Sequence, residues 1–111
     1  PVLKKNEMKV FWARMEYKYG DKERGRSMFE DMISAQPSRL DVWSCFIDQE
    51  QANDPAYTRI LFDRCLSMRM SMKKMKFIFK KNLAFEKQHG TEKSMTRVKQ
   101  RARDYVESRV N

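Results

Sequence analysis

A chain of 111 residues is one domain or a piece of one, and it can bury only a modest core. Its three glycines, three prolines and wealth of Lys, Glu, Arg, Met and Leu favour helix over sheet. No apolar run is long enough to span a bilayer, and two cysteines are too few for a disulfide framework.

The chain starts at Pro1 with no secretory leader, so the expectation is a piece cut from a longer protein. Cys45 and Cys65 sit in apolar helical patterns and read as reduced core thiols of an intracellular protein. The nine methionines fall mostly on apolar faces and read as adaptable core filling. The net charge of +9 is concentrated: from Arg69 to Arg103 there are twelve basic residues and two acids, Glu86 and Glu92. Elsewhere twelve basic residues face thirteen acids. Such a field suits a polyanion partner, or else a solvated helix surface that keeps a lysine-rich segment in solution.

In chain order, Met8, Phe11, Trp12, Met15 and Tyr19 form one stripe of a first helix over about Lys4 to Tyr19. Val10, Ala13 and Tyr17 lie opposite, which implies neighbours on two sides or one lost by truncation. Gly20 suits a left-handed cap and Asp21 the N-cap of a second helix, about Lys22 to Ala35. That helix carries Met28, Phe29, Met32 and Ile33, and Gly25 one turn earlier invites close approach of another helix. Pro37 stops it, and Ser38 with Asp41 reads as a capping box for a third helix, about Arg39 to Ala52, with Leu40, Trp43, Phe46 and Ile47 inward.

Asn53-Asp54-Pro55 ends that helix and opens a fourth, about Pro55 to Met68, with Pro at its first position. Tyr57, Leu61, Cys65 and Met68 share a side, while Ile60, Phe62 and Leu66 lie off it. Ser71 can cap a fifth helix, about Met72 to His89, in which Met75, Ile78, Phe79, Leu83 and Phe85 cluster on one side. Lys73, Lys76, Lys80 and Lys87 fall within about 60° on the other, with Lys74 and Lys81 on the flank. Gly90 and Thr91 lead into a sixth helix, about Glu92 to Arg109, marked by Met95, Val98, Ala102, Tyr105 and Val106. Arg97, Lys99, Arg101 and Arg103 add positive charge there.

The six helices fall into three hairpins, about 4–36, 38–69 and 71–109, on one repeating plan. Glu16 and Glu50 are 34 positions apart, Glu50 and Glu86 are 36, and Arg26 and Arg59 are 33. Periods of this size belong to paired-helix repeats, in which a hairpin buries its apolar face only against its neighbours. The expected fold is therefore all-α, an α-α superhelix of about three hairpins in a single 1–111 domain.

Little points to catalysis. His89 is the only histidine and reads as a helix C-terminal residue favoured by the dipole. No Cys/His cluster has metal spacing and no glycine-rich phosphate loop is present, so no cofactor is expected. One glutamate per repeat suits inter-helix hydrogen bonds or ion pairs, not an acid/base pair. Two binding readings stay open: a lysine face that grips RNA phosphates, or a groove that takes a partner protein's segment. Phe77 lies beside the lysines, and packing against the adjacent hairpin is preferred for it over stacking on an unpaired base.

Trp43, Phe46, Glu50, Arg59 and Phe62, with Gly20-Asp21, Arg26 and Phe29-Glu30 in the preceding unit, resemble HAT (half-a-TPR) repeats. The stretch Ser71-Met72-Lys73-Lys74-Met75-Lys76-Phe77-Ile78-Phe79-Lys80-Lys81, then Phe85 to Lys93 and Ala102 to Glu107, is more specific. From about Gly20 onward the chain resembles the C-terminal end of the eukaryotic ribosomal-RNA-processing protein five family, also called programmed cell death protein eleven. That family joins S1-type RNA-binding domains to a C-terminal HAT array and acts in the nucleolus in precursor processing for both ribosomal subunits.

The resemblance implies a non-enzymatic scaffold that meets pre-ribosomal RNA and pre-ribosome assembly factors. Trp12 and Asn82 depart from the motif's usual Tyr or Phe. A HAT scaffold of pre-mRNA splicing or 3′-end processing is the alternative, and the lysine-rich final segment argues against it. The expected binding surface is Lys73, Lys76, Lys80, Lys81, Arg97 and Arg101, while Trp12, Phe29, Trp43, Phe46 and Phe62 are expected to be structural. An array cut at one end exposes apolar surface, which gives Val10 and Tyr17 the chance to form a homodimer.

Overall fold

The computed structural model describes residues 5–68 and 70–110, so the expected helix start at Lys4 and the Arg69 end of the second hairpin and of the basic stretch lie outside the described residues. Six helices follow one another: α1 (Lys5–Tyr19), α2 (Lys22–Ala35), α3 (Leu40–Asn53), α4 (Pro55–Leu66), α5 (Met72–His89) and α6 (Glu92–Val110). No strand occurs among the described residues, and no described helix is long and apolar enough to cross a membrane. The all-α class expected from composition and periodicity is the class observed. Contacts divide the chain into two compact units, one up to Leu61 and one from Phe62 onward.

Local chemistry sets the helix ends. Asp21 accepts from Glu23 N at 2.9 Å as the N-cap of α2, and Asp54 accepts from Tyr57 N at 3.2 Å ahead of Pro55, the first residue of α4. Ser71 accepts from Lys74 N at the start of α5. Thr91 and Ser94 bond reciprocally, each side-chain oxygen accepting from the other's backbone N–H, at the start of α6. Two expectations are corrected. No described glycine has positive φ, so Gly20 is not a left-handed cap; its N–H returns to Glu16 O at 3.0 Å in an ordinary last turn. The N-cap of α3 is Arg39, not Ser38; no side chain caps it, and the Arg39 guanidinium holds Asp41 at 2.6 and 2.9 Å instead.

In the first unit α1 packs on α2 and α3, and α2 on α3. A run of rings ties the helices together. Tyr17 lies 6.1 Å from Phe29, Phe29 stacks on Phe46 at 5.0 Å, and Phe46 lies 6.0 Å from Tyr57. Such pairs add roughly 0.5–1.5 kcal/mol each beyond burial. Trp43 is buried and its indole N–H donates to Pro37 O at 2.8 Å. Gly25 is buried against α1: a Cβ there would stand 2.7 Å from the Tyr17 ring and 3.0 Å from Ala13 O. This is the close approach its position in the sequence announces.

The first helix is turned the other way from the expectation. Ala13 and Tyr17 are buried and Val10 is half-buried, while Met8, Phe11, Trp12 and Tyr19 are exposed, Trp12 by 56%. Trp12 is therefore not a core anchor; its one described ring contact is an edge-on meeting with Phe11 at 5.2 Å. Val10 and Tyr17 do not offer an open apolar surface either. The stripe Met8, Phe11, Trp12, Tyr19 does.

In the second unit α5 packs on α6. Phe62 lies 5.6 Å from Phe85, Phe85 stacks on His89 at 4.9 Å, and Phe79 lies 5.8 Å from Tyr105. Cys65 is fully buried and burial pushes its thiol up to about 12, while Cys45 is only half-buried.

Candidate nucleic-acid interface

The fifth helix buries Met75, Ile78, Asn82, Phe85 and Glu86. At 100° per residue those positions occupy one arc, and the opposite arc is formed by Lys73, Lys76, Phe77, Lys80, Ala84 and Lys87. All six are exposed. Burial of the apolar arc against α6 and Phe62 thus fixes where the lysines point. Four cations lie along about 21 Å of helix axis. The only carboxylate on α5, Glu86, is on the buried side, so no acid neutralises the row from its own helix. Among the described residues Lys73, Lys76, Lys80, Lys87 and Arg97 form no ion pair.

The six residues expected to bind do not all stand alike. Lys73, Lys76 and Lys80 share the exposed face of α5, and Arg97 is exposed on α6. Lys81 is half-buried on the flank. Arg101 is also half-buried, and its guanidinium holds Asp63 at 2.6 Å. That pair is worth under about 1 kcal/mol at such exposure, but it occupies the cation. Phe77 is exposed by 47%, and among the described residues its ring stacks on no other ring.

A second polar centre lies in the first unit, and the one-per-repeat glutamate is its sequence signal. Glu50, on α3, is fully buried. Its carboxylate accepts from Arg26 Nε and Nη2 at 2.8 Å each, from Asn53 Nδ2 at 3.2 Å and from the Tyr17 hydroxyl. Burial alone would raise the Glu50 carboxyl; the hydrogen bonds from Arg26, Tyr17 and Asn53 and the Arg26 charge outweigh it and hold the group below the usual range. Tyr17 moves the opposite way, upward, through burial and then its bond to the carboxylate. Arg26 Cζ also sits over the Tyr57 ring, 3.8 Å from its centroid, and the Tyr57 hydroxyl donates to Glu30.

The cluster satisfies the buried Glu50 carboxylate and joins four helices, so it reads as structure. This is the inter-helix role that the recurring glutamate suggested. Its partners Tyr17 and Asn53 were not legible, because neither belongs to the spacing that marks the repeat. Among the described residues no group of His, Cys, Asp and Glu side chains is placed to hold a metal ion.

No family model matches the chain. It is 48% identical over 96 residues, 86% of its length, to rRNA biogenesis protein rrp5 of Schizosaccharomyces pombe. It is 39% identical over 110 residues, 98% of its length, to Protein RRP5 homolog of Mus musculus. It is 44% identical over 97 residues, 86% of its length, to rRNA biogenesis protein RRP5 of Arabidopsis thaliana. The chain spans only 6%, 6% and 5% of the length of these relatives. Over most of its own residues the chain is homologous to one short segment of the RRP5 rRNA biogenesis proteins.

Proposed function

We propose that this chain is a non-catalytic helical scaffold module in ribosome biogenesis. It acts in the nucleus and nucleolus, where it supports pre-rRNA processing and assembly of the small-subunit precursor through contacts with RNA and with assembly factors. The names of the relatives supply the process. The exposed, acid-free lysine row of α5 is the observation that favours RNA as one partner, since phosphates bind wherever several unpaired cations line up. Lys73, Lys76 and Lys80 carry that contact, Arg97 supplements it, and Lys81 and Arg101 contribute less because of their burial and, for Arg101, its Asp63 partner.

Binding of the chain to a fluorescent pre-rRNA fragment across a salt series tests this. In a Lys73→Glu, Lys76→Glu, Lys80→Glu variant the logarithmic salt slope is expected to flatten by about 2, because each phosphate contact on a single strand contributes about 0.7. The variant's helical circular dichroism should stay native, as Lys and Glu have similar helix propensity. Weak RNA binding that the variant leaves unchanged would sink the RNA half of the reading and leave the row as a solvated surface.

A further inference from the structure

We infer that the α5 face is a reader of unpaired RNA, with Phe77 as the stacking platform for one base and Lys73, Lys76 and Lys80 as clamps on the flanking phosphates. This deepens the RNA reading above and rests on it. Phe77 follows Lys76 directly, and stands one turn after Lys73 and one before Lys80, so cations surround the ring along and beside the helix axis. A phenylalanine in the middle of a solvated lysine surface loses contact with water only when something flat and apolar covers it. A base offers such a face, and base stacking on an aromatic ring is the usual device of proteins that hold single strands.

The interior of a duplex cannot use this ring, because its bases are already stacked on one another and present only their edges. One row of lysines on a convex helix likewise follows one backbone rather than two. An acidic peptide would satisfy the lysines, but it would not need an exposed aromatic ring at their centre. Phe77 lies on the arc opposite the one α5 buries, and its ring makes no ring contact among the described residues.

The test compares a single-stranded oligoadenylate with an RNA duplex of equal length whose ends are both closed by tight loops, using the chain and two variants at position 77. Phe77→Leu keeps an apolar, helix-favouring side chain but no ring, and Phe77→Tyr keeps the ring. Phe77→Leu is expected to weaken oligoadenylate binding about five-fold or more while leaving the duplex affinity unchanged, and Phe77→Tyr to restore the oligoadenylate affinity. Equal affinity of Phe77→Leu and native chain for the single strand would overturn the inference. So would an equal loss on both RNAs, or a Phe77→Leu defect confined to capture of an acidic peptide. In these cases the lysine-to-glutamate variant tells the two levels apart: if it still loses RNA, the phosphate reading stands and only the base platform falls. If the native chain binds neither RNA, both fall together.

Discussion

A carboxylate with no solvent contact survives at Glu50 because four donor bonds and one positive charge replace the water it gave up. Removing the cation leaves the charge behind. Arg26→Met is therefore expected to cost about 3 kcal/mol, the lower end for a broken buried pair, because the Arg26 side chain is 28% exposed. Urea titration of both proteins measures this. The pH dependence has a definite sign. The folded Glu50 carboxyl titrates below its ordinary value of 4.5, so its contribution is complete above that pH and is lost as pH falls through the lowered folded value. Arg26→Met removes the hydrogen bonds and charge that do most to oppose burial, so the loss of stability on acidification below pH 4.5 should shrink. That the recurring glutamate makes an inter-helix bond was legible in its 34- to 36-residue spacing, while its pairing with Arg26 was not. Spacing along a chain does not state which donor from which helix arrives at a given oxygen.

Helices were the most legible level, and α2 and α5 have the ends that their caps and stop residues indicate. What periodicity could not supply is the identity of the face that finds a neighbour. On α1 the richer stripe, with Phe11 and Trp12, is exposed, and the smaller set of Ala13 and Tyr17 is buried. The reason is close packing: Gly25 lets α2 press onto α1 at Tyr17 and Ala13, and Tyr17 then reaches Glu50, which a bulkier stripe in that place would prevent. On α5 the same method succeeded because lysine and apolar residues cannot exchange sides. Gly25→Ala gains about 1 kcal/mol of helix propensity. It forces a methyl group into a ring pinned by a hydrogen bond, where overpacking costs about 1–3 kcal/mol. The expected outcome is a net loss of up to about 2 kcal/mol and a lower melting temperature in calorimetry, opposite to the usual result for an exposed helical glycine. A higher melting temperature would show that Tyr17 yields.

At the scale of the whole chain, composition fixed the helical class, and the charge count located the basic segment between Arg69 and Arg103. The chain matches a short segment of relatives far longer than itself. Helix phase made the exposed lysine face of Lys73, Lys76 and Lys80 legible; the ion pair that engages Arg101 was not, because its partner Asp63 lies 38 positions away. The Glu50 cluster also has a kinetic consequence. One carboxylate holds Tyr17 of α1, Arg26 of α2 and its own helix α3, so none of the three can detach without breaking a bond to that buried group. Local opening of a single helix is then nearly as costly as opening all three, and amide protons along α1, α2 and α3 should exchange with one common free energy instead of a graded series. In Arg26→Met the shared carboxylate loses its strongest link to α2, and the exchange of α2 should separate from that of α1 and α3.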